Sequence, residues 1–459
     1  MGFVLRYSTL SYRSLWFDEG ISIKIAQLPI PGLLKFLYSD VHPPLYFYLL
    51  HYWIKLFGSS EAAVRFMSLL FGELLIVYIY LFCKKFLNGK TAVIASLLIS
   101  ISAFMIKYSQ ETRSYSLLAF LTIASMYYFL TILRDKNRLN NFLYVVTSLA
   151  LIYTHVYGFF IIAAQILFLI IYYKDIEKNR LSITVMNIVI VFVLFIPWSL
   201  VLLNQISTVS NGFWIERPGL SDLLDTLKTF NGPVKNDFSL ILSAIIFLFI
   251  GIITAFYLIK RSIRIKYLHR EKIYILLIFW FLFPIFIPYI ISVVKTPIFY
   301  PKYCISGYLA LIILFSNSLS KIKINYLLYP TVLAFVILFS INIKYFNEDR
   351  TEEWREATAY IAQNINISTD EVLIYPDDCK TFLFDYYFPR RGAMVKGIKT
   401  EFAPYRLAAH FALRQVKTVW FLYRYDDYEN FNAYLAKLNY KFVDKKSFQF
   451  ITLYKFEKK

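Results

Sequence analysis

Trp16-Phe17-Asp18-Glu19-Gly20 sets two adjacent acids between aromatic residues. An ionised carboxylate held this way can take the proton of an attacking hydroxyl, which makes Asp18 a candidate general base with Glu19 as its partner. The same pair also suits the first turn of a helix starting near Ile21, where acids satisfy unpaired amides and favour the positive end of the helix dipole. On spacing alone the two readings stand level. Val41-His42-Pro43-Pro44-Leu45 comes next. Its double proline stiffens the entry to a helix over Leu45–Phe57, a structural reason sufficient in itself. His42 is then either a cap or a contact for substrate phosphate or hydroxyls.

Three further groups follow. Tyr108-Ser109-Gln110-Glu111-Thr112-Arg113-Ser114-Tyr115 joins two apolar runs. Ionisable groups at a bilayer edge must pair or face water, so Glu111 and Arg113 form either an interfacial ion pair or a working site. In the second case Glu111 faces Asp18 across an outward cavity lined by Tyr108, and Arg113 orients it or binds phosphate. His155, in Thr154-His155-Val156-Tyr157, interrupts another apolar run. A lone histidine is more often structural than a ligand, and its outward placement raises the functional odds modestly. Lys295 and Lys302 crowd with Phe299, Tyr300 and Tyr303 at the entrance to a span. A phosphate leaving group gains negative charge as its bond breaks, and a fixed cation there lowers the barrier. Snorkelling of lysine to lipid headgroups explains them equally well. Glu73 is the one acid deep within an expected span, where it should face the bundle interior with a partner.

The elements that must position these residues are set by composition. Of 459 residues, 58% are hydrophobic and 17% charged, against about 45–50% and 25% in soluble domains. The apolar excess falls in blocks long enough to cross a hydrocarbon core of about 30 Å, which excludes a large soluble enzyme. We expect spans at 61–83, 91–107, 114–133, 142–157, 158–173, 183–203, 239–259, 273–293, 303–319 and 325–344. The short pair meeting at Thr154-His155 is either two tight helices or one broken one. The net charge of +19 does not mark a nucleic-acid partner. From Tyr345 onward 18 Lys/Arg face 16 Asp/Glu, and much of the remaining charge sits in alternate loops such as 260–272. Basic loops stay on the cytoplasmic side and attract anionic headgroups. With them inside, residues 1–60, the turn at 108–113, the His155 stretch, the 295–302 loop and the tail face outward.

The expected organisation is an outer-face loop with interfacial helices over 1–60, a transmembrane bundle of about ten spans over 61–344, and a soluble extracytoplasmic α/β domain over 345–459. Pro31–Phe57 is amphipathic and aromatic, as interfacial helices are. The tail reads as helices at Trp354–Asn364, Thr381–Phe388 and Tyr428–Leu438, strands at Glu371–Tyr375 and Thr418–Tyr423, and a closing hairpin at Tyr440–Lys455. Only Met1–Leu5 precedes the outer loop as helical apolar sequence, with no signal peptide. The expectation is therefore that a first transmembrane helix is missing, through a late assigned start codon or truncation. Cys83, Cys304 and Cys379 are too scattered for a metal cluster or a disulfide framework. Asn366-Ile367-Ser368 fits a glycosylation sequon that is common by chance.

Five segments in order resemble glycosyltransferase family 39 within the GT-C superfamily, the polyprenyl-phosphate-dependent protein mannosyltransferases and lipid A aminoarabinose transferases. They are Ser14-Leu15-Trp16-Phe17-Asp18-Glu19, His42-Pro43-Pro44-Leu45-Tyr46, Tyr108 to Tyr115, Tyr153-Thr154-His155 and Phe299-Tyr300-Pro301-Lys302-Tyr303. The likeness runs from about residue 14 to 320, and Glu353-Trp354-Arg355-Glu356-Ala357 matches the start of the tail in bacterial and archaeal members. It implies a GT-C fold in the cytoplasmic membrane, with catalysis on the outer side. It also implies inverting transfer of a sugar from a polyprenyl-phosphate donor to a protein, lipid or glycan acceptor. Asp18 matches the catalytic acid of the first outer loop, with Glu19 beside it, and Glu111 falls where the family places an acid in the second. Lys302 stands where many relatives have Arg, without its bidentate fork. Some relatives use a divalent metal, which leaves one near Asp18 and Glu111 open; no other cofactor is expected. The rival readings are a lipid-linked sugar flippase or exporter component, or a degenerate GT-C assembly partner. Polar residues gathered on one face favour the enzyme.

Overall fold

The computed structural model describes residues 2–210, 215–230, 270–321, 352–375, 380–388, 394–397, 416–423 and 428–459. The spans expected at 239–259 and 325–344, and Cys379, lie outside the described residues. The chain divides into two compact units. The first comprises Met1–Ser8, Leu28–Gly58 and Ala63–Asp349; the second comprises Thr9–Gln27, Ser59–Ala62 and Arg350–Lys459.

The first unit is a helical bundle. It holds α1 (Gly2–Tyr7), α3 (Ile30–Ser39), α4 (Leu45–Phe57), most of α5 (Glu61–Phe86), α6 (Gly89–Ile101), α7 (Ala103–Ser109), α8 (Tyr115–Ile132), α9 (Arg138–Thr154), α10 (Gly158–Tyr172), α11 (Lys178–Ser210) and α12 (Leu220–Phe230). Among the described residues the helices Arg270–Val294 and Ile305–Leu319 belong to it too. Among the described residues six helices are long and apolar enough to cross a membrane, or seven if the bent pair α6–α7 is one span. In water the apolar faces of these helices would be intolerable. Val189, Val193, Ile196 and Leu200 of α11 are all largely exposed, an apolar surface of the kind lipid covers. By contrast α8 and Ile305–Leu319 are apolar all round and buried along their lengths, as central helices must be. The protein is a multi-pass membrane protein, mainly α-helical.

The run expected as one span at 91–107 is broken. Helices α6 and α7 meet at 62°, with Ser102 capping α7 through a bond from the Met105 amide and touching the Tyr308 hydroxyl at 2.8 Å. A break strands carbonyls in a place without water. Arg6 takes them up: its guanidinium donates to Ile99 O at 3.1 Å, Ser100 O at 2.9 Å and Ser109 Oγ at 3.2 Å. It is also the partner of Glu73, with Nε 3.7 Å from the carboxylate. Gly72 makes room, since a Cβ there would lie 2.4 Å from Ser109 Oγ. At the other interruption, α9 and α10 are two helices turning back at His155. Gly158 lies so close to the end of α9 that a Cβ would meet Leu151 O at 2.9 Å.

The second unit is built on a five-stranded sheet of order β2-β1-β3-β5-β4. The strands are β1 (Asp370–Tyr375), β2 (Met394–Gly397), β3 (Thr418–Tyr423), β4 (Tyr440–Phe448) and β5 (Ile451–Lys458). Strands β1, β2 and β3 run parallel, and β5 and β4 close the sheet as an antiparallel hairpin. Leu373, Val419, Phe421, Leu435, Tyr454 and Phe456 form its core. Helices Trp354–Asn364, Lys380–Tyr387 and Tyr428–Lys437 accompany it. The short α2 (Phe17–Gln27) belongs to this unit rather than to the bundle.

Candidate functional site

In the second unit the acidic pair begins α2. The helix cap is Glu19, not Asp18. Trp16 is the residue before the first turn, and the buried Glu19 carboxylate, three residues on, accepts its amide at 3.3 Å. This is the back-reaching half of a capping box. Asp18 is left half-buried with its backbone carbonyl bonded by Ser22 Oγ at 2.9 Å. The two acids that spacing could not separate thus have different surroundings: one is committed to a helix terminus and the other reaches solvent.

In the first unit the polar residues of four sequence segments converge. His42 stands between Asp40 and Arg113, with Nδ1 2.7 Å from Asp40 Oδ2 and Nε2 3.0 Å from the Arg113 guanidinium. Arginine has only donors. Nε2 must therefore accept, and the ring proton sits on Nδ1, donated to Asp40. Burial pushes the Asp40 carboxyl up, but His42, the Val41 amide and Arg113 together pull it below the usual carboxylate range. Asp40 escaped the sequence reading; its signal was an acid two residues before His42 in a turn closed by two prolines.

Arg113 also stacks on Tyr115, and Lys302 lies 5.6 Å from the same ring, 5.3 Å from that of Tyr300 and 5.8 Å from that of Tyr303. Tyr108 packs edge-on against Tyr115 at 5.0 Å. Glu111 is half-buried in the same turn, its carbonyl bonded by the Arg113 amide at 2.7 Å.

His155 is buried against Tyr115, Tyr157 and Tyr303. Its Nδ1 accepts the Tyr157 amide at 3.1 Å, so the neutral ring carries its proton on Nε2. Burial, and after it the neighbouring His42, Arg113 and Lys302, push its pKa from 6.5 down to about 3. Below pH 6.5 the unfolded chain binds a proton that the folded one refuses until about pH 3, so stability falls on acidification. Between pH 7 and 5 the loss is about 2 kcal/mol. His155→Asn keeps an acceptor for the Tyr157 amide and has nothing to titrate. Its unfolding midpoint in detergent is expected to fall less than that of the wild type between pH 7 and 5; parallel curves would refute this account.

Of these groups His42, His155, Tyr157 and Tyr303 line a cavity of about 380 Å³, with Lys295, Thr296 and apolar side chains such as Phe159, Phe160, Leu202 and Ile206. That is within the size class of small-molecule sites, about 300–1,000 Å³. Cationic and aromatic at one part of its wall and apolar over most of the rest, it suits an anion joined to a hydrocarbon. Among the described residues no three His, Cys, Asp or Glu side chains gather to hold a metal ion.

By its likeness to solved structures this polytopic helical bundle with a small C-terminal sheet has an ArnT-like GT-C fold. Two crystal structures of ArnT from Cupriavidus metallidurans share it across nearly the whole chain. The one bound to undecaprenyl phosphate superposes with a TM-score of 0.63 at 14% identity, covering 99% of this chain and 96% of that one. The apo form gives 0.62 at 13%, covering 98% and 96%. Residues 41–200 match the dolichyl-phosphate-mannose-protein mannosyltransferase family. No curated protein matches the sequence.

Proposed function

We propose that this protein is a membrane glycosyltransferase that moves a sugar from a polyprenyl-phosphate donor to an acceptor on the outer side of the cytoplasmic membrane, with inversion. The observation that carries this reading is the pair of cations, Arg113 and Lys302, gathered at one tyrosine ring beside a largely apolar cavity. Phosphate on a prenyl chain needs both features at once. The ArnT structure that shares the fold was solved bound to undecaprenyl phosphate, and the match over 41–200 to a lipid-phosphate-sugar-using family points the same way.

In the proposed reaction Asp18 removes the proton of an acceptor hydroxyl or amine, and the freed lone pair attacks the anomeric carbon. The bond from that carbon to the phosphate oxygen breaks, and the electron pair leaves with polyprenyl phosphate. Arg113, Lys302 and Lys295 stabilise the charge it gains, an effect strongest where water is excluded. Tyr303, Tyr108, His42 and His155 shape the donor site.

The test is transfer of radiolabelled sugar from a panel of undecaprenyl-phosphate sugars by the full chain in proteoliposomes with membrane acceptors. Labelled product is the expected result. Movement of the labelled lipid across the bilayer without product would replace this reading with the flippase; neither activity would leave the assembly partner.

A further inference from the structure

We infer that Tyr387 and Glu352, near the start of the C-terminal domain, are positioning residues for the catalytic acid, so that this domain builds the loop that presents Asp18. The inference rests on the proposed role of Asp18. Residues 8–16 form turns and bends without regular structure, and a backbone of that kind must find outside partners for its amides. Three successive amides at the start of α2 find them in side chains. Leu15 N–H donates to the Tyr387 hydroxyl at 2.6 Å, Trp16 N–H to Glu19, and Phe17 N–H to Glu352 Oε2 at 3.1 Å. Two of the three acceptors lie more than 330 residues away in sequence. Asp18 is the next residue.

Both acceptors are themselves held. Tyr387 donates to Glu61 Oε1, and Glu61 pairs with Arg355, which donates in turn to Ser11 O at 3.3 Å. Glu352 is buried, takes the Trp354 indole N–H on the same oxygen at 2.7 Å, and receives Ser14 Oγ at its backbone carbonyl. A carboxylate facing the amide at the start of a helix also gains from the helix dipole. Packing reinforces the bonds: at Gly20 a Cβ would lie 2.6 Å from the Leu383 side chain, so α2 lies against the helix Lys380–Tyr387 with no space between them. Every one of these contacts falls within the second unit. The loop is pinned at both ends and the acid points from a backbone that cannot drift.

The test uses the full chain in detergent, with amide hydrogen exchange read at Ser14–Gly20 and sugar transfer measured alongside. Tyr387→Phe removes one hydroxyl and Glu352→Ala one carboxylate; Glu352→Gln keeps an acceptor for the Phe17 amide. Exchange at Leu15 or Phe17 is expected to rise about tenfold in the first two variants, with β3 and β5 unchanged. Because a displaced catalytic group slows the chemical step, kcat is expected to fall by about tenfold or more with the KM for donor held, and Glu352→Gln to recover most of it. Unchanged exchange at these amides, faster exchange throughout β3 and β5, or faster local exchange with an unchanged kcat would each overturn the inference. If the wild type transfers no sugar, the proposed function fails by itself, and the exchange data still decide whether the two side chains hold the loop.

Discussion

Asp18→Asn is expected to lower transfer by about two to four orders of magnitude, the usual worth of a general base. Asparagine has nearly the shape of aspartate and leaves the backbone bond from Ser22 Oγ intact. The substitution removes the basicity of the side chain. The informative comparison is Glu19→Gln. Glutamine still offers an oxygen to the Trp16 amide, which donates to the carboxylate in the fold. Its expected effect on kcat is less than about tenfold, the loss of a charge-assisted bond's extra strength. A pair of equal catalytic acids would give two equal losses; a base beside a cap gives one large and one small. The measurement is kcat at saturating undecaprenyl-phosphate sugar with the folded fraction checked for each variant. Transfer that survives Asp18→Asn would move the base elsewhere, with Glu111 the first alternative.

The second large effect is expected on the donor. Arg113→Met and Lys302→Met should each weaken binding of undecaprenyl phosphate by about tenfold to a hundredfold, the range of a charge-assisted hydrogen bond of about 1.5–3 kcal/mol. Methionine keeps an unbranched side chain and deletes the charge that lies over Tyr115. Lys302→Arg should bind at least as tightly as the wild type, because a planar fork matches phosphate better than a single ammonium. Arg113 has a further dependence. It is aimed by His42, whose tautomer is set by Asp40, so Asp40→Leu should also weaken binding although Asp40 itself repels phosphate. Titration of purified protein with undecaprenyl phosphate checks all four. Affinities that stay within twofold in both Met variants would remove the phosphate from this site.

Much of the architecture was legible because it is written locally. A bilayer sets the length of an apolar helix, so runs such as 114–133 announce themselves, and the structure has α8 at Tyr115–Ile132. Alternation in Tyr440–Lys455 is the signature of a hairpin, and β4 and β5 pair antiparallel there. The break at Ser102 was not legible, since hydropathy continues through it. What makes it tolerable is Arg6, almost a hundred residues earlier. The short strand β2 carries too few residues for a period to show. Within the candidate site the residue types were readable, because acids, histidines and lysines are costly beside a membrane and attract notice. Their assignments were not: nothing local distinguishes the capping Glu19 from the half-buried Asp18, or marks Asp40 as the partner of His42.

By itself, then, the sequence determined that this protein crosses the membrane many times and that its tail is an α/β domain, and it pointed to the segments proposed to carry its chemistry. Each of these depends on periodicity or residue type within about twenty positions. Tertiary structure alone decided that α2 belongs to the unit built on the C-terminal sheet, that Tyr387 and Glu352 take the amides before Asp18, and that Arg113 and Lys302 meet at one tyrosine. Those outcomes join residues tens to hundreds of positions apart. A hydrogen bond or a stacked cation is a matter of a few ångströms between chain segments, and no local pattern in the sequence records that distance.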